Sequence, residues 1–234
     1  MENTYNFWSH KYDFAEINRY NWRMVLKDNF VLDIKRISLL AMLFAIEILF
    51  TIISKYTIGG LAIAEAFTIE ISLIGILFIY LTTNVFYAAI FNIAANSLRM
   101  VLPLPSNYIG VLAMTISDLT FIISFAIIFF SLKKIVLFKI KKENQLKWYL
   151  LLIAISGTLA IMISAFISLI CNQHFIFEWY EVLYPGIVPE KNSYGWNILL
   201  WTGFGVSIAK LGVNLIIFLL TTKLLVKLIN KHLF

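Results

Sequence analysis

Five ionisable side chains lie inside long apolar runs of this 234-residue chain: Glu47, Glu70, Arg99, Asp118 and Lys210. A charged group at the centre of a membrane helix costs about 2.5–3.5 kcal/mol on insertion scales, so such residues persist where they pair or serve a function. Their polar neighbours share their faces. Gly203, Ser207, Lys210 and Asn214 follow a 4-3-4 spacing that sets them on one side of a helix. Asn92, Asn96 and Arg99 do the same on another, and Thr115 stands one turn from Asp118. Two chemistries fit this pattern. One is a polar site for a small solute, lined by Glu70, Asn96, Arg99, Asp118, Ser207, Lys210 and Asn214. The other is a set of interhelical bonds that only holds helices together, at ~0.6 kcal/mol per hydrogen bond.

Covalent catalysis finds little support in the same residues. No HExxH pattern is present, and His10, His174 and His232 all fall outside the apolar runs. The triplet Gly205-Val206-Ser207 has no intramembrane histidine to activate its hydroxyl. There is no GxxxxGK[ST] phosphate loop, so the chain does not hydrolyse ATP by that route. The expectation is a protein that is not an enzyme, holds no metal and carries no covalently bound cofactor. Uphill movement of a solute would then draw on an ion gradient or on a partner.

The elements that must position these groups are membrane helices. Apolar residues make up 61% of the chain and charged residues 14%, well below the quarter typical of soluble domains, and mean hydropathy is +0.85. At about 20 residues per crossing, the apolar runs predict six helices: 37–56, 68–83, 84–102, 108–132, 148–172 and 196–225. The second carries Glu65 and Glu70 near its start, which reads as a loop or re-entrant piece before the helix proper. Pro103 and Pro105 end the third. Lys210 then falls roughly a dozen residues into its helix, ~18 Å deep. The fold class expected is an all-α integral membrane bundle of six helices over residues 37–228. An interfacial, amphipathic N-terminal extension (1–36) precedes it and a short tail (229–234) follows.

The net charge of +6 is distributed as topology rather than as a nucleic-acid patch. Lys11, Arg19, Arg23, Lys27, Lys35 and Arg36 precede the first run. Lys133, Lys134, Lys139, Lys141, Lys142 and Lys147 fill the fourth connection, and Lys223, Lys227 and Lys231 end the chain. The connection between the last two helices has only Lys191 against Glu178, Glu181 and Glu190. The positive-inside rule places both termini in the cytoplasm, which requires an even number of crossings. Glu70, Arg99 and Asp118 then occupy the outer half of the bilayer, with Lys210 near its middle. The aromatic outer segment 173–196 is expected either to cap a site or to lie on the headgroups. No signal peptide is apparent, and the lone Cys171 has no internal disulfide partner. Abundant Ile, Phe, Asn and Lys suit an AT-rich bacterial genome, hence a bacterial plasma membrane.

Three stretches resemble the substrate-binding S components of energy-coupling factor (ECF) vitamin transporters. RISLLAMLFAIEILF carries Ala41 and Ala45 in the Ala-xxx-Ala spacing of the family's first helix. PSNYIGVLAMTISDLTFIISFAIIFF, with Gly110, is similar to the fourth helix of riboflavin-type members. GFGVSIAKLGVNLIIFLLTTKLL is similar to their last helix, in which a lysine matching Lys210 faces the ligand. The Pro-Phe-Asn-Leu-Ile-Lys run of riboflavin-type members is here Gly205 to Lys210, with the lysine kept and the proline and asparagine replaced. The resemblance implies a subunit that captures a vitamin-like solute from outside, riboflavin being one candidate. It implies docking through Ala41 and Ala45 on a transmembrane coupling subunit driven by two ATPases. The residues alone leave two other classes open: a secondary transporter using Glu47, Glu70 or Asp118 as proton carriers, and a membrane assembly factor with no ligand.

Overall fold

The computed structural model describes residues 17, 19–57, 70–102, 106–136 and 145–232, and all regular structure among them is helical. The elements in chain order are α1 (Trp22–Phe30), α2 (Ile34–Thr57), α3 (Ile74–Thr82), α4 (Val85–Leu98), α5 (Tyr108–Val136) and α6 (Gln145–Cys171). A π-helical turn (Asn172–Ile176) leads into α7 (Phe177–Leu183), and α8 (Tyr194–His232) completes them. Glu65, Pro103, Pro105 and most of the basic connection after α5 lie outside the described residues.

Sequence sets the helix starts by hydrogen-bond capping. Asp33 Oδ1 accepts from Arg36 N at 2.9 Å, Asn84 Oδ1 from Tyr87 N at 3.0 Å, Asn107 Oδ1 from Gly110 N at 3.0 Å and Ser193 Oγ from Trp196 N at 3.1 Å. Each satisfies an amide that an apolar surrounding would otherwise leave bare. Pro185 and Pro189 fall between α7 and α8.

Four stretches are long and apolar enough to cross a membrane: Ile34–Tyr56, Tyr108–Val136, Leu146–Leu183 and Tyr194–Leu224. Val85–Leu98 is a shorter apolar helix. The second expected span is where the structure departs most from the sequence reading. Among its described residues only Ile74–Thr82 is helical, about 13 Å of rise, and residues 70–73 are not helical. Every residue of α3 except half-buried Tyr80 is buried, so this short helix is enclosed by its neighbours. Its Ile76, Leu77 and Ile79 are the centre of the main core, with Phe121, Phe125, Ile153, Leu211 and Phe218 around them.

Close approach fixes how α3 sits. A Cβ on Gly75 would meet the Leu43 carbonyl oxygen at 2.8 Å and Glu47 Cβ at 2.9 Å, so only glycine lets α2 and α3 touch here. Gly157 of α6 similarly receives the side chain of Leu215 of α8. Ser164 Oγ donates to the Ser117 carbonyl at 2.7 Å, tying α6 to α5.

The N-terminal segment, read as a surface extension, is packed on the bundle from α1 onward. Asn84 Nδ2 donates to the Asn29 carbonyl at 3.0 Å and Tyr87 Oη to the Phe30 carbonyl at 3.1 Å. Arg36 closes the α1–α2 turn by donating to the Asp28 and Val31 carbonyls. The segment 173–196, read as a loop, is helical as far as Leu183. It seats Ile176, Phe177 and Val188 against Ile109, Trp196 and Leu200 over the starts of α5 and α8.

Candidate functional site

The non-helical residues 70–73 need partners for their backbone groups, because irregular backbone in an apolar setting leaves amides and carbonyls unpaired. Side chains of two helices supply them. Ser54 Oγ of α2 accepts from Ile71 N at 2.9 Å. Asn214 of α8, fully buried, uses its whole amide: Oδ1 accepts from Leu73 N at 3.0 Å, and Nδ2 donates to the Glu70 carbonyl at 2.7 Å and the Lys210 carbonyl at 2.8 Å. Glu47 Oε2 of α2 accepts from Gly75 N at 3.1 Å, a carboxylate at the positive end of α3.

Around this non-helical stretch stand two buried ion pairs. Arg99, at the end of α4, pairs with Glu70 through Nη1 and donates to Ser72 Oγ through Nη2 at 2.6 Å. Met114 Sδ of α5 lies 3.0 Å from the same Nη1. Lys210 Nζ of α8 donates to Asp118 Oδ1 of α5 at 2.9 Å, and Asn96 Nδ2 of α4 reaches Asp118 Oδ2 at 3.3 Å. Arg99 and Asp118 are each 1% exposed and Lys210 7%. Lys55, at the end of α2, donates to the Arg99 carbonyl at 3.4 Å. Charges removed from water to this extent persist only when paired and hydrogen-bonded, and these are.

Six residues proposed from spacing therefore meet in one continuous network: Glu70, Asn96, Arg99, Asp118, Lys210 and Asn214. Ser207 does not join it by any bond of its own; its hydroxyl donates back to the Gly203 carbonyl at 2.9 Å, and it is half-buried. Ala41 and Ala45 are exposed on the flank of α2 away from the network. Spacing overlooked Ser54, Lys55, Ser72 and Met114. Ser72 carried a usable signal, a hydroxyl two residues from Glu70 in an otherwise apolar stretch. Ser54 and Lys55 read as the end of a helix.

Satisfaction is incomplete, chiefly along α4. Four buried side-chain polar atoms have no hydrogen-bond partner among the described residues: Asn92 Nδ2, Asn96 Oδ1, Arg99 Nε and Ser156 Oγ. Three of the four lie along one face of α4, beside the ion pairs. No group of three or more His, Cys, Asp or Glu residues able to hold a metal occurs among the described residues. The arrangement can hold a polar molecule by hydrogen bonds.

The chain matches no family model, no curated protein and no solved structure.

Proposed function

We propose that this chain is the solute-binding membrane subunit of an ECF-type importer. In this reading the bundle crosses a bacterial plasma membrane six times, with α3 as the core of the second crossing and both termini in the cytoplasm. The observation that carries the proposal is the non-helical segment 70–73 leading into α3, held by Ser54 and Asn214 and flanked by the Glu70–Arg99 and Asp118–Lys210 pairs. Transporters place solutes beside non-helical backbone, whose dipoles are already desolvated and can be turned to a ligand. A bundle built only to anchor a partner has no need of four charged groups at this depth, each of which raises the cost of insertion.

In the cycle that follows, a vitamin-like solute enters from outside and takes up hydrogen bonds from the network. The exposed Ala41/Ala45 flank of α2 docks on the coupling subunit, small side chains allowing close helix approach. ATP hydrolysis by the two partner ATPases drives release inside. The basic groups of α1 and of the ends of α5 and α8 hold that face to the cytoplasmic leaflet.

The deciding experiment is coexpression with a coupling module, affinity purification and mass spectrometry of retained proteins and small molecules. Retention of ATPase subunits, lost in Ala41→Trp while solute binding persists, supports the reading; no ATPase and no solute sinks it. One observation favours a second reading. Glu47 is 2% exposed and its carboxyl accepts from the Gly75 amide, a buried acidic group of the kind that suits a proton carrier. Uptake into ATP-free vesicles driven by an imposed proton gradient would select that alternative.

A further inference from the structure

The ion pairs already neutralise each other, which limits what a solute in this site can be. The network holds two ion pairs, Glu70–Arg99 and Asp118–Lys210, each of net charge zero. A net-charged solute would have to break the Glu70–Arg99 or Asp118–Lys210 pair and leave one member unmatched in an apolar surrounding, which buried ions resist strongly. A net-neutral solute meets no such penalty.

The atoms that remain open are specific in kind. Asn92, Asn96 and Arg99 recur at 4 and 3 residues, so they share one stripe of α4, and they are 2%, 1% and 1% exposed. Asn96 turns its Nδ2 to the Asp118 carboxylate, which leaves its carbonyl Oδ1 unpartnered. Arg99 commits both terminal nitrogens to Glu70 and Ser72, which leaves its Nε–H. Asn92 contributes an amide N–H. The stripe thus reads donor, acceptor, donor. Buried polar groups are nearly always paired, so three orphans in register on one face call for a common partner.

We infer that the solute is net uncharged and binds along α4, accepting hydrogen bonds from Asn92 Nδ2 and Arg99 Nε and donating one to Asn96 Oδ1. Amides, imides and polyols have this chemistry; carboxylates, phosphates and amines do not. The inference rests on the solute-binding reading above and narrows it to one chemical class.

The test uses the full chain in nanodiscs, exposed to host-cell extract supplemented with matched neutral and charged probes. These are nicotinamide with nicotinate, uracil with orotate, and riboflavin with riboflavin 5′-phosphate. After washing, retained molecules are released with methanol and identified by mass spectrometry. Retention of a neutral molecule, at least tenfold over any charged one, is the expected result. Retention of a charged molecule in preference overturns the inference and leaves the transport reading standing. Retention of nothing overturns both. Asn92→Leu, with Asn92→Ala as a second variant should leucine not fit, removes an atom that bonds no described protein group. Ligand-free melting should therefore be no lower than in the natural chain, while retention falls tenfold or more. Unchanged retention in a folded variant removes α4 from the site.

Discussion

Replacing Lys210 by methionine separates a pairing role from a solvent-facing one. In the native bundle Nζ sits 2.9 Å from Asp118 Oδ1, with the lysine 7% and the aspartate 1% exposed. At that separation the Coulomb attraction is about 6 kcal/mol for an effective dielectric constant near 20, most of it offset by the desolvation of both ions. Lys210→Met leaves Asp118 buried with the Asn96 amide at 3.3 Å as its remaining hydrogen-bond partner. Loss of one partner of a buried pair costs about 3–5 kcal/mol, which for a chain of this size lowers Tm by roughly 10 °C. Asp118→Asn is expected to behave alike by stranding the lysine. The double variant, having no unmatched charge, should melt above either single one. Membrane insertion is a separate matter: methionine removes a residue that costs ~2.5–3.5 kcal/mol on insertion scales, so the yield of inserted chain should hold or rise. The assay is reversible unfolding in mixed micelles, all four proteins side by side. Single variants within about 1 kcal/mol of the natural chain, or a double variant whose loss is the sum of the singles, would refute a pair meeting in a dry interior.

Further outcomes follow from packing and capping. Gly75→Ala should cost about 1–3 kcal/mol, because its Cβ would strike the Leu43 carbonyl oxygen and Glu47 of α2, and thermal melting reads this directly. Gly205→Ala, with nothing within 4 Å of the new atom, should instead hold or gain up to about 1 kcal/mol from helix propensity in the same assay. Asn84→Ala removes both the α4 cap and the bond to the Asn29 carbonyl. It should cost about 1–2 kcal/mol and raise hydrogen exchange across α1 while α6 stays protected. Ser164→Ala should cost only ~0.6 kcal/mol, the usual worth of one interhelical hydrogen bond, by unfolding in detergent.

Much of the fold could be read locally. Apolar runs and punctuating prolines located α2, α5, α6 and α8 to within a few residues, because span length and helix period are properties of contiguous sequence. The same period drew Asn96 and Arg99, and Lys210 and Asn214, onto shared faces. The second apolar run was harder. Its hydropathy fits a single span, yet residues 70–73 are not helical, because Ser54 and Asn214 satisfy their backbone from outside the segment. Ser207 shows the converse. Its spacing matches Lys210 and Asn214, but its hydroxyl is taken by its own helix.

The five intramembrane ionisable residues that drew attention first were determined as costly by sequence alone, since burial of charge in an apolar run is penalised whatever the fold. Which of them pair was decided only by tertiary structure. Lys210 and Asp118 are 92 residues apart and the Asn214–Glu70 contact spans 144, and spacing along one helix says nothing about the helix that faces it. Packing α3 between α2 and α8 brings those distant faces together, and that enclosure makes a buried, neutralised network out of separate polar faces.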